Sequence, residues 1–189
     1  MPFEIEKIIK EIKEGKQEAF RKLLEEYQQY AFNLAFRILC NEEEARDTVQ
    51  DSFIKIWKKI NGYDANIKFT TWMYKIVTNT AIDRIRSIKR QKSVNLDSVT
   101  EKLYQMQDES TEANLNNKEM ADIIKTLAND LPEKQKIVFV LRDLQELNSK
   151  EVETILEINE TQVKSNLYHA RKTIKEKLTE IISFERSQR

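Results

Sequence analysis

Two glycines and two prolines in 189 residues leave this chain little choice but helix. Gly15, Gly62, Pro2 and Pro132 are its only outright helix breakers. Sandwiches and barrels need turn residues about every eight to twelve positions, and phosphate-cradling loops need clustered glycines. Neither pattern is present, so the fold class predicted is all-α. The lone Cys40 excludes an internal disulfide and any multi-cysteine metal site. His169 is the only histidine, and no nucleophile–base pair can be drawn. No cofactor, metal or catalytic residue is therefore expected.

The N-terminal stretch MPFEIEKIIKEIKEG interleaves charge with apolar residues and has no secretory core. The longest apolar run, IVFVL at 137–141, is far too short to cross a bilayer. A cytoplasmic location without membrane insertion is the default expectation. Charged residues make up 34% and hydrophobic ones 40%, enough for a packed core with a solvated surface. The 32 acidic and 32 basic residues cancel, but they are segregated. Residues 42–51, EEEARDTVQD, are acidic, whereas 84–92, RIRSIKRQK, carry five positive charges. One region suits a basic partner and the other suits phosphate.

Helical periodicity predicts helices over about 3–13, 17–40, 42–60 and 68–90, with the loop NGYDANIK at 61–68. From about 91 to 117 the sequence turns polar and weakly periodic, as a flexible linker does. Helix returns over 118–129, and Leu131-Pro132 marks a fresh start for a helix reaching about Leu144. Asn148 with Glu151, and Asn159 with Gln162, have capping-box spacing. They frame helices at about 149–156 and 160–182 around the short turn Glu157-Ile158, a helix-turn-helix arrangement.

On the third helix Val49, Phe53, Ile56, Trp57 and Ile60 form the predicted core stripe. Asp47, Gln50, Asp51 and Ile54 lie opposite. They read either as an ordinary solvated face or as a docking surface with an apolar anchor. On the fourth helix Phe69, Trp72, Met73, Ile76, Ala81, Ile85 and Ile88 face inward, and Asn79, Asp83, Arg86 and Arg90 line another stripe beside Lys89. That row is either a helix end complementing its dipole or a nucleic-acid contact. On the last helix Val163, Leu167, Ala170, Ile174 and Leu178 face inward. Thr161, Gln162, Ser165, Tyr168, His169 and Lys172 face outward, flanked by Lys164 and Arg171, as on a recognition helix.

Four stretches occur in a telling order: RILCNEEEARDTVQDSFIKIWKKI, FTTWMYKIVTNTAIDRIRSIKR, LPEKQKIVFVLRDLQ and VKSNLYHARKTIKEKL. Together they resemble the bacterial extracytoplasmic-function sigma factors, over about 17–91 and 119–180. The resemblance implies a two-domain initiation factor that joins core RNA polymerase and directs it to promoters. Its domains would be 1–91, a linker 92–118, a helix-turn-helix domain 119–182, and a tail 183–189. Asp47, Gln50, Asp51 and Ile54 match the family's surface for the clamp helices of the polymerase's largest subunit, and the second domain implies the flap region as a further contact. Tyr63, Asp64, Asn66 and Lys68 fall in the segment that captures a flipped minus-10 base. Asn79, Asp83, Arg86, Lys89 and Arg90 fall in the helix that reads and holds that DNA. Thr161, Gln162, Lys164, Ser165, Tyr168, His169, Arg171 and Lys172 would contact the minus-35 element. An anti-sigma factor is a common partner for the group.

Three positions depart from the pattern. Glu157 stands where Gly is usual in the turn, Glu153 where a small Ala is usual, and Asn166 where a basic residue is common. Over 132–182, nine basic residues face nine acidic ones. Weak or unusual minus-35 contact is expected, with another protein or complex helping delivery. The alternative is a stand-alone helix-turn-helix regulator, which would explain 119–182 but neither the acidic face nor the basic row.

Overall fold

A computed structural model describes residues 2–94, 127–128 and 130–187. The first four helices are α1 (Pro2–Lys13), α2 (Gln17–Leu39), α3 (Glu42–Lys59) and α4 (Phe69–Val94). Gly15, at φ +87°, stops α1 in a conformation that costs a residue with no Cβ nothing. Cys40 ends α2 in the left-handed region while its N–H donates to the Phe36 carbonyl, and Asn41 then caps α3 by accepting from the Glu44 N–H at 3.0 Å. That two-residue reversal folds α2 back on α3. α4 packs against both, and Leu23, Leu34, Ile38, Ile56, Met73 and Val77 are wholly enclosed. Gln91, Lys92 and Ser93 carry no breaker, and α4 runs on to Val94, past the expected domain end at 91. The predicted linker otherwise lies outside the described residues, as does most of the 118–129 helix.

The second bundle comprises α5 (Glu133–Phe139), a π-turn (Val140–Leu144), α6 (Ser149–Leu156) and α7 (Glu160–Ser187). The continuous helix predicted to Leu144 thus widens at Val140. Gln145 N–H reaches the Val140 carbonyl at 2.8 Å, five residues back, and Arg142 donates to the Leu147 carbonyl. Both expected capping boxes form. Asn148 accepts from the Glu151 N–H while Glu151 accepts from the Asn148 N–H, each at 3.0 Å. Asn159 and Gln162 do the same at 2.9 and 3.1 Å. Val138, Val140, Leu141, Val152, Ile155 and Val163 fill this core.

Cys40, Glu146 and Glu157 all adopt positive φ without being glycine, and each closes a helix end. A left-handed conformation costs a side-chain-bearing residue on the order of 1 kcal/mol. Exposed Glu146 therefore offers a clean substitution: Glu146→Gly should raise stability by about 0.5–1 kcal/mol, read as a higher denaturant midpoint at unchanged slope.

The two bundles touch. α4 packs along α6, the buried apolar residues of both halves join one cluster, and Arg37 of α2 donates to the Leu144 carbonyl. Among the described residues no helix is long and apolar enough to cross a membrane.

Candidate nucleic-acid interface

Successive helical turns of α3 set Asp47, Gln50, Asp51 and Ile54 on one outer face, all exposed, with Ile54 keeping 46% of its surface. Trp57 corrects the sequence reading. Placed in the core stripe by periodicity, it is 40% exposed and continues this outer face. The rest of the predicted stripe holds, with Phe53, Ile56 and Ile60 buried and Val49 partly so, and Ala45, Thr48 and Ser52 complete the inward face. Trp57 covers one edge with Phe20, ring centroids 4.7 Å apart, and presents the rest to solvent. The outer face of α3 is thus broader and more apolar than the pattern indicated.

Arg84, one of the five positive charges that the sequence groups as suited to phosphate, is used differently. It turns away from the outer stripe of α4 towards α3, donating to the Glu44 carboxylate and lying 3.5 Å from Asp47. The Glu44 hydrogen bond raises its guanidinium above the ordinary value, with Asp47 and Asp51 adding and partial burial opposing. No local pattern announces such a contact, because it spans 40 residues of sequence.

The loop before α4 is braced from below. The Tyr63 hydroxyl donates to the Ile67 carbonyl at 2.5 Å, and its ring lies 5.2 Å from Trp72 and 5.9 Å from Phe69. Burial raises the Tyr63 phenol above its ordinary value, with Glu6 and Asp64 adding. Asp64 folds the tip by accepting from the Asn66 backbone and side-chain amides, both at 2.9 Å. Asp64, Asn66 and Lys68 remain exposed, while Tyr63 is half-buried. Asn79, Asp83, Arg86, Lys89 and Arg90 all stand exposed on α4, as the helical wheel predicts. Four cations of this region meet the second bundle: Lys68 contacts Glu151 at 2.9 Å, Lys75 contacts Glu157 at 2.7 Å, Lys89 contacts Glu133 at 3.1 Å, and Arg86 lies 3.9 Å from Glu133.

On α7, Thr161, Gln162, Lys164, Ser165, Tyr168, His169, Arg171 and Lys172 are exposed, Tyr168 at 65%. The structure separates them by what they already hold. Arg171 grips Asp143 of the π-turn with two bonds of 2.7 and 2.8 Å, and Lys164 holds Glu160 at 2.8 Å. Lys172 lies 3.9 Å from Glu176. Glu157 occupies the turn at φ 55° and Asn166 donates to the Gln162 carbonyl at 2.7 Å.

Comparison with known proteins matches residues 23–91 to Sigma-70 region 2 and residues 121–174 to Sigma-70, region 4. The chain is similar to the ECF RNA polymerase sigma factor SigW of Bacillus subtilis (strain 168), 33% identical over 96% of this chain and 100% of that one. It is also similar to the ECF RNA polymerase sigma-E factor of Escherichia coli (strain K12), 26% identical over 93% and 94%. Two solved structures share the fold. CnrH in complex with the cytosolic domain of CnrY has a TM-score of 0.67 at 18% identity, covering 95% of this chain and 98% of its own. The sigma factor RpoE in complex with the anti-sigma factor NepR from Bartonella quintana has a TM-score of 0.70 at 19% identity, covering 85% and 96%.

Proposed function

Since the chain belongs to the ECF RNA polymerase sigma factors, we propose that adjoining surfaces of its first bundle divide the labour of initiation. The protein is a transcription initiation factor that directs core RNA polymerase to promoters. Asp47, Gln50, Asp51 and Ile54, extended by Trp57, seat it on a basic, partly apolar surface of the polymerase's largest subunit. Loop residues Asp64, Asn66 and Lys68 receive an unstacked minus-10 base, with Tyr63 and Trp72 holding the loop in shape. Arg86, Lys89 and Arg90 grip the strand's phosphates while Asn79 and Asp83 reach base edges. A flipped base forfeits a few kcal/mol of stacking, which a nearby row of cations offsets.

The observation that carries this reading is the join between α3 and α4: Arg84 fastens the carboxylate face to the cationic helix. A stand-alone regulator has no use for such a pair of surfaces.

Thr161, Gln162, Ser165, Tyr168, His169 and Lys172 address the minus-35 element. Arg171 and Lys164, already engaged with Asp143 and Glu160, contribute less charge than their number implies. Helped delivery by another protein fits that modest basicity. Work in the cytoplasm, contact with the polymerase flap, and inhibition by a protein of the anti-sigma class complete the assignment.

The test is to mix full-length protein with sigma-free core polymerase and resolve the mixture by size exclusion. Co-elution, together with promoter-dependent transcription, is expected. A chain that ignores polymerase yet shifts duplex DNA as a dimer would return the regulator reading.

A further inference from the structure

The loop before α4 spends its hydrogens on itself. The Tyr63 hydroxyl donates to the Ile67 carbonyl at 2.5 Å, and the Ile67 N–H donates to the Asp64 carbonyl at 3.1 Å. Asp64 Oδ1 accepts from both the backbone N–H and the side-chain amide of Asn66, each at 2.9 Å. An ionised carboxylate can only accept, so the Asn66 amide must turn its nitrogen to Asp64 and hold its carbonyl oxygen on the other side. Lys13 supports the arrangement from α1, donating to the Tyr63 carbonyl at 3.3 Å.

What the loop shows outward is a set of acceptors. Among the described residues no donor reaches Asp64 Oδ2 or Asn66 Oδ1, and both residues are exposed. The Tyr63 oxygen, its proton committed to Ile67, has only lone pairs to offer. Of the four residues assigned to the base, only the second Asn66 amide hydrogen and the Lys68 ammonium are left as side-chain donors. That ammonium lies 2.9 Å from Glu151, and as a point charge it suits a phosphate better than a base edge.

A flipped base is read on its Watson–Crick edge. Thymine brings carbonyl oxygens there with a single N–H, whereas cytosine, adenine and guanine each carry an exocyclic amino group. Carbonyl oxygens facing a carboxylate meet like partial charge. An amino group facing it makes a hydrogen bond strengthened by the acceptor's charge.

We propose that the loop selects an amino-bearing base (cytosine, adenine or guanine) at the flipped minus-10 position and rejects thymine, with Asp64 and Asn66 as the discriminating groups. This rests on the loop's assignment to an unstacked base under the proposed function. A well-placed contact of this kind discriminates roughly five- to a hundred-fold against the wrong base.

Holoenzyme reconstituted from core polymerase and the full-length chain supplies the test. 2-Aminopurine scanned through the minus-10 region should brighten beyond its melted neighbours at one position, which marks the captured base. Selection from promoters randomised there should enrich an amino-bearing base with wild type. Asp64→Asn keeps an oxygen to close the turn but turns an amide nitrogen outward, so D64N should lose that preference and gain thymine at this position alone. Replacing the selected cytosine, adenine or guanine by 2-pyrimidinone, purine or hypoxanthine removes only the amino group. That change should weaken wild type about five-fold or more and leave D64N unaffected. Thymine enriched by wild type, indifference of wild type to loss of the amino group, or an unaltered preference in D64N would each overturn the proposal with base capture still standing. No brightened position anywhere would overturn base capture, and the proposal with it.

Discussion

Asp51→Lys combined with Ile54→Asp should remove co-elution with sigma-free core polymerase, weakening association roughly a hundred-fold or more. The two changes attack different contributions. Lys at 51 puts a positive charge where a basic partner surface must approach, turning attraction into repulsion and slowing the encounter. Asp at 54 replaces the exposed apolar anchor with a carboxylate that has to be desolvated on docking. Neither side chain is part of the core, since both are exposed and the α3 core is built by Ala45, Phe53 and Ile56. Helicity and melting should therefore stay near wild type. Intact co-elution with core polymerase would move the docking surface elsewhere on the molecule.

Arg86→Ala with Arg90→Ala should reduce open-complex formation by about ten- to a hundred-fold at physiological salt and make it less salt-sensitive. Each phosphate contact contributes a slope of about 0.7–0.9 in log affinity against log salt. Losing two should flatten the plot by about 1.5. Both residues stand exposed on the outer stripe of α4, so the loss falls on DNA and not on the core. The slope distinguishes a phosphate contact from a structural one: a folding defect lowers activity at all salts without tilting the line. An unchanged slope across a salt series would sink the assignment of these arginines.

Much of the architecture was legible locally. Most helix limits fell within a residue or two because their signals are short-range: Gly15, Asn148 with Glu151, Asn159 with Gln162. The exposed stripes of α3, α4 and α7 followed from periodicity. What failed needed information from another element. Trp57 sits at a border position on the α3 wheel, and only the placement of Phe20 decides which edge is covered. The π-turn at Val140–Leu144 contains no breaker, and the helix widens where Arg142 and Asp143 find partners in Leu147 and α7. Glu157 reads, by itself, as a defect in a turn that favours Gly. Its partner Lys75 lies 82 residues away, so its use becomes visible only once the bundles are placed together.

Arg84 has a consequence for the order of events. It shares α4 with Arg86 and Arg90 but spends its charge on Glu44 and Asp47, and Asp47 also belongs to the outer face of α3. On the proposed docking, a cation arriving there would bid for the same oxygen. In the proposed reading, the face that seats on the enzyme and the helix that meets a separated strand are therefore joined through one guanidinium.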